Sequence, residues 1–238
     1  GEGLCLQDWL FTRIFPFEGK LTGDDVYYAS LLGIAETLRS GVCSFTDMYF
    51  ECDRIIQACV ESGIKANIAW GISGQDPSFE KNSRYGIVES FMTPYRDPTG
   101  RVRTENSIHA EYTCSEALVR DVAAYAKANG THMQVHMSET KKEQEECIAR
   151  HGMTPAEFFL HCGVFEVPTT AAHCVWATPD DIKIMAEYGV TMAHCPSSNL
   201  KLASGIAPAW QIHKAGVRVS IGTDGASSNN NLNMLEEI

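Results

Sequence analysis

Two rhythms of apolar and polar positions alternate along the chain. Stretches with apolar residues three and four apart, the helical period, tend to end at a glycine, and short, nearly continuous apolar runs follow them. The first such stretch spans 22–40, with Thr22 as N-cap and Gly41 as stop. A strand over 42–47 comes next. Residues 51–62 read as a helix closed by Gly63, and 64–70 as the second strand. Residues 71–100 are the least regular, rich in Gly, Pro, Ser and Asp around a helix over 84–92. A third strand covers 102–109. A helix over 115–129, capped by Ser115 and stopped by Gly130, leads to a fourth strand over 131–136. Two helices, 141–151 and 154–162, separate it from a fifth strand over 169–173. A helix over 178–188, a sixth strand over 190–194, a helix over 206–215 and a seventh strand over 217–223 complete the pattern.

Strands and helices alternating at this spacing predict parallel βαβ units. The strand runs are too continuously apolar for a sheet with one wet face, so both faces should be covered. Seven strands with a helix before the first fit an α/β fold, a (β/α)₈ TIM-type barrel whose first strand is missing. An open doubly wound sheet is the competing reading, but no G-x-G-x-x-G fingerprint follows a strand near the start. Nothing resembles a linker, so 1–238 reads as one unit, a partial catalytic barrel of strands two to eight.

Composition narrows the partners. The net charge is −11, with 30 acidic against 19 basic residues, and no Lys/Arg cluster exceeds Lys141-Lys142. A nucleic-acid partner is excluded on that basis. No apolar stretch approaches the roughly 18–20 residues that span a bilayer, so no membrane partner is expected. Residues 1–10 lack a basic region followed by an apolar one, which argues against a signal peptide. There are nine cysteines, none in a CxxC pair. Cys43, Cys174 and Cys195 lie in apolar runs, a pattern that predicts reduced, buried thiols in a cytoplasmic protein. Composition leaves homo-oligomeric assembly open.

Candidate chemistry lies where polar residues interrupt the strand ends. Asp47, His109, His136, His173, His194 and Asp224 each fall at the C-terminal end of an expected strand. In a barrel those ends share one face, and that face holds the active site. A lone His there is an ordinary structural hydrogen-bonder; six such ends point to a site. His136 opens His-Met-Ser-Glu-Thr (136–140), where the chain leaves its strand and Glu139 can swing over the barrel mouth. A neutral imidazole suits a divalent metal, and a nearby carboxylate suits proton transfer. The alternative for Glu139 is a charge at the next helix's N-terminus. Asp224 stands in Ile-Gly-Thr-Asp-Gly (221–225), where Gly222 and Gly225 are expected to relieve the backbone and aim the carboxylate.

Several of these stretches carry a family resemblance. His-Met-Ser-Glu-Thr, Ala-His-Cys (172–174), His-Cys-Pro-Ser-Ser-Asn-Leu-Lys-Leu (194–202) and Gly-Thr-Asp-Gly-Ala-Ser-Ser-Asn-Asn (222–230) resemble the amidohydrolase superfamily. They are closest to its branch of methylthioadenosine/S-adenosylhomocysteine deaminases and triazine hydrolases. The resemblance implies hydrolytic deamination of an adenosine-like nucleoside, with Zn²⁺, or another divalent ion such as Fe²⁺, as cofactor. It implies His136 and Asp224 as metal ligands, Asp224 also taking a proton from the attacking water. It implies Glu139 as proton shuttle to the purine ring and His173 as the group orienting the nucleophile. Glu18 would accept hydrogen bonds from ribose hydroxyls, Trp9 would lie beside the base, and His109 and Arg84 would contact substrate. Asp47 and His194 would have supporting duties. Other hydrolases of the branch, a guanine or cytosine deaminase or a triazine hydrolase, are the alternative. The family's His-x-His pair and flanking β-sandwich have no counterpart here. The expectation is a fragment truncated at both ends, with two of four metal ligands, binding zinc weakly and inactive alone.

Overall fold

Parallel strands cannot be joined by tight turns, and helices make each crossover here. A computed structural model describes residues 4, 6–92 and 99–238. Seven strands form one sheet in chain order: β1 (Ser44–Tyr49), β2 (Lys65–Trp70), β3 (Val102–Ile108), β4 (Met133–Met137), β5 (Thr169–His173), β6 (Thr191–His194) and β7 (Arg218–Ile221). All six neighbouring pairs are parallel. The crossovers run through Cys52–Ser62, Tyr85–Met92, Glu116–Ala128, the pair Lys141–His151 and Pro155–His161, Pro179–Glu187, and the pair Pro196–Lys201 and Ala209–Lys214. Sequential parallel order with helical crossovers is the larger part of a (β/α)₈ barrel, as expected.

The caps at Thr22 and Ser115 act where the sequence placed them, and Thr178 adds another. Thr22 accepts from the Asp25 N–H while the Asp25 carboxylate accepts from the Thr22 N–H. Thr178 and Asp181 exchange the same two bonds, and Ser115 caps Leu118. Each such cap contributes about 1 kcal/mol. Gly63 closes its helix at φ 76°, a left-handed value that a side chain would oppose.

The core lies between sheet and helices. Ile68, Ile108, Met133, Met137 and Met192 from the strands meet Ile55, Ile56, Leu118, Phe158 and Phe159 from the helices, all essentially inaccessible to water. Burying each such side chain contributes roughly 1.5–3 kcal/mol. The sheet's outer strands differ. β1 and β7 are not paired to each other among the described residues, and both are mostly exposed or half-buried.

Several expectations need correction. Cys43 is exposed, because it immediately precedes the edge strand β1; the other seven described cysteines are buried, and Cys5 lies outside the described residues. β1 continues to Tyr49, so Asp47 sits inside the strand, paired with Ile68, and not at its end. The helix expected over 206–215 begins only at Ala209, after Pro208, and β7 stops at Ile221. Residues 93–98 of the irregular stretch, and 1–3, lie outside the described residues. The N-terminal stretch is helical, in three short turns: Leu6–Trp9, a π-turn Leu10–Ile14, and Phe15–Glu18. Its apolar residues Leu6, Trp9 and Leu10 pack on Leu202 in a cluster separate from the main core. No helix among the described residues is long and apolar enough to cross a membrane.

Candidate active site

The backbone is strained where the strands end. Ser138 after β4 (φ 51°), His173 and Cys174 at the end of β5 (φ 73° and 49°) and Asp224 after β7 (φ 57°) all adopt the left-handed region without being glycine. Such conformations cost about 1–3 kcal/mol each and gather at functional sites. The expectation that Gly222 and Gly225 would absorb this strain fails, since Gly225 has φ −73° and Asp224 itself takes the positive φ.

Two of these residues, His173 and Asp224, border a cavity of about 650 Å³. His136, Glu139, His173 and Asp224 line it, and so do Trp9, Glu18, Arg84 and His109. Asp47 lines it too, despite its mid-strand position. His194 does not; its Nδ1 is buried without a hydrogen-bond partner among the described residues. Residues far apart in sequence thus share one chamber at the C-terminal ends of the strands.

Hydrogen bonds fix the histidines. His136 Nδ1 lies 2.6 Å from the His109 carbonyl. A carbonyl only accepts, so Nδ1 carries the proton and Nε2 keeps its lone pair. His173 Nδ1 donates to Asn199 Oδ1 at 2.8 Å, and its Nε2 stands 3.7 Å from Glu139 Oε2. The rings of His109 and His136 are 5.0 Å apart, those of His136 and His173 5.4 Å. Burial and the two neighbouring imidazoles push His109 down to about 3, and burial lowers His136 as well, so both are neutral at physiological pH.

The carboxyl groups divide. Burial, with the charge of Asp224 adding to it, pushes Glu139 up to about 8. Asp224 moves the other way. Burial raises it, but His173, a hydrogen bond from Ser198, His136 and a bond from Ser228 together hold it below the usual aspartate range. Ser198 Oγ and Ser228 Oγ donate to Asp224 Oδ2 at 2.6 and 2.8 Å. Asp47 is pushed up to about 6 by burial, and half-buried Glu18 is raised by burial against a bond to Tyr49. Near pH 7 Glu139 therefore holds a proton and Asp224 is ionised. Two carboxyls driven apart in one site is the signature of separate acid and base roles.

Among the described residues, no three His, Cys, Asp or Glu side chains are grouped to hold a metal. The donor chemistry of the expected pair still fits a divalent cation: a neutral imidazole with a free Nε2 and an ionised carboxylate held by two hydroxyls. On the cavity wall, Arg84 lies over the Trp70 ring at 5.6 Å, and Trp9 is buried.

Sequence reasoning missed Asn199, Ser198, Ser228 and Glu143. Asn199 and Ser198 lie within the stretch 194–202, but their partners are 26 residues away. Tyr112, on the cavity wall, was given no role from the sequence, although the stretch 108–115 around it resembles the family.

Comparison with known proteins adds a family. The model of the amidohydrolase family matches residues 1–238. A 5-methylthioadenosine/S-adenosylhomocysteine deaminase of Desulforudis audaxviator is 44% identical over 237 residues, covering 100% of this chain and 55% of that protein. The deaminase of the same name from Thermoanaerobacter pseudethanolicus is 43% identical over 238 residues, again covering 100% of this chain and 55% of that protein. The chain thus spans about half the length of the curated relatives it matches. Among solved structures, an adenosine deaminase from Xanthomonas campestris with bound zinc superposes with a TM-score of 0.90 at 30% identity, over 100% of this chain and 54% of that one.

Proposed function

Since this chain belongs to the amidohydrolase family, we propose that the intact protein hydrolytically deaminates an adenosine-like nucleoside, with 5-methylthioadenosine and S-adenosylhomocysteine as the first candidates. One observation carries the reading: Glu139 is driven up to about 8 and Asp224 is held low in the same buried chamber.

The residues divide the work. Protonated Glu139 gives its proton to the purine ring nitrogen beside C6, which makes that carbon electrophilic, and then assists ammonia to leave. Ionised Asp224 takes the proton of the attacking water. His173, held through Nδ1 by Asn199, presents Nε2 to that water and orients it. Each proton transfer of this kind supplies roughly 10²–10⁴ in rate. His136 and Asp224 would hold a divalent cation, zinc in our reading with Fe²⁺ as the variant. Such an ion supplies Lewis acidity that makes water nucleophilic near neutral pH.

Around the reacting centre, Trp9 offers an apolar face for the base and Glu18 an acceptor for ribose hydroxyls. Arg84 and His109 complete the substrate contacts. We assign the chain as strands two to eight of its barrel, with the remaining metal ligands outside 1–238, so that these residues alone bind zinc weakly. Free described cysteines suit a reducing compartment, and the assignment is cytoplasmic.

The test is ammonia release by the intact, zinc-loaded protein from 5-methylthioadenosine, S-adenosylhomocysteine, adenosine, guanine, cytosine and a chlorotriazine. Adenine nucleosides should lead by at least tenfold in kcat/KM. Preference for a free base or a triazine overturns the substrate assignment.

A further inference from the structure

We propose that Glu143 is a positioning residue: its carboxylate grips the backbone amides of Ser138 and Glu139 and thereby aims the Glu139 side chain into the cavity. The inference rests on the proton-donor role proposed for Glu139.

An internal comparison separates this contact from ordinary helix capping. Four helices here begin with a threonine N-cap and an acidic third residue: Thr22 with Asp25, Thr140 with Glu143, Thr154 with Glu157, and Thr178 with Asp181. In three of them the acid returns to its own cap's N–H, at 2.9 Å for Asp25 and 2.8 Å for Glu157 and Asp181. The fourth is half built. Thr140 Oγ1 accepts from Glu143 N at 3.1 Å. The Glu143 carboxylate passes over Thr140 and receives the Ser138 N–H on Oε1 at 2.8 Å and the Glu139 N–H on Oε2 at 2.7 Å. Its carboxylate is thus spent on the loop that carries Glu139.

That loop needs such a hold. Ser138 is left-handed at φ 51° without being glycine, and its Oγ is buried without a partner among the described residues. An unsupported serine would relax out of this conformation and turn the next side chain with it. The carbonyl side is also tied, since Ser138 O accepts from Trp176 N at 2.8 Å in the loop after β5. Glu143 supplies the amide side. It is 1% exposed; burial raises its carboxyl to about 8, and the two N–H donors, one on each oxygen, oppose that rise by favouring the ionised form that accepts on both.

The geometry sets the experiment, done in the intact, zinc-loaded protein. Glu143→Gln keeps the shape but turns one acceptor into a donor facing an N–H. Its kcat for the preferred nucleoside should fall at least 30-fold with KM within threefold. Hydrogen–deuterium exchange in the peptide spanning 137–140 should quicken at least tenfold. Thr154→Ala removes the cap on the next helix, and with it a bond to Asp181 that lies off the 138–139 loop. It should leave kcat within twofold and that peptide's exchange unchanged. Should Glu143→Gln fail to fold, Glu143→Asp, one methylene shorter and able to reach one amide, should fall between wild type and these values. Unchanged exchange at 137–140, or losses of kcat that track thermal stability alike in the Glu143 and Thr154 variants, overturns the proposal. If the wild-type protein releases no ammonia from adenine nucleosides, the functional reading fails, while the exchange measurement still decides whether Glu143 holds the loop.

Discussion

Replacing Glu139 by glutamine exchanges a titrating group for a neutral one of the same shape. In the fold its carboxyl is pushed from 4.5 up to about 8, chiefly by burial. Between those values the native chain holds a proton that the unfolded chain releases. The stability tied to that proton is therefore full below about pH 4.5 and is lost as pH rises toward about 8. At about 1.4 kcal/mol per pH unit, the loss reaches about 5 kcal/mol at the top of the window. Glutamine carries no such proton. The stability of Glu139→Gln relative to wild type should climb across the window and level off above it. Urea unfolding of both proteins in a chelator, at about pH 5, 7 and 9, measures the difference: small at the first, about 3 kcal/mol at the second, about 5 kcal/mol at the third. Turnover of the metal-loaded variant should fall by about 10²–10⁴ while its zinc content stays at the wild-type level. A stability difference that does not change with pH would refute the buried, proton-holding carboxyl. Zinc lost from the variant would make Glu139 a ligand.

Three further outcomes follow from the site. Asp224→Asn should lower zinc affinity by at least tenfold, read by competition with a chromophoric chelator, and abolish turnover, because the amide neither binds the cation well nor accepts the water's proton. Asn199→Leu deprives His173 Nδ1 of its acceptor; kcat should fall roughly 10–100-fold, the usual consequence of losing a group that orients a reacting histidine, with zinc retained. Glu18→Gln should raise KM for nucleosides roughly 10–100-fold, matching about 1.5–3 kcal/mol for a hydrogen bond to a charged group, and leave any turnover of the free base adenine unchanged.

How much of this could be read beforehand depends on how local each determinant is. Helix starts at Thr22, Ser115 and Thr178 were legible because cap and partner lie three residues apart. Strand order was legible because helical crossovers force sequential parallel strands into adjacency. Strand ends were less so. β1 runs past Asp47, since nothing in Asp-Met-Tyr stops an extended chain. The strain at Asp224 was misplaced onto neighbouring glycines, because the left-handed turn is imposed by the site, where Ser198 and Ser228 grip the carboxylate, and not by local preference. Asn199 was invisible as a partner of His173 because the contact exists only once β5 and β6 are side by side. Glu143 was close enough to see, but its spacing from Thr140 is that of an ordinary capping box. The helical turns at 6–18 form against Leu202, nearly two hundred residues on, and carry little amphipathic pattern of their own.

The most direct measurement is mass spectrometry of the product formed from 5-methylthioadenosine by the intact, zinc-loaded protein in water enriched in ¹⁸O. Our account predicts the inosine analogue carrying one ¹⁸O at C6, one ammonia released per product, and loss of both in Glu139→Gln. Free adenine from cleavage at the sugar, or a deaminated product without the label, would contradict it.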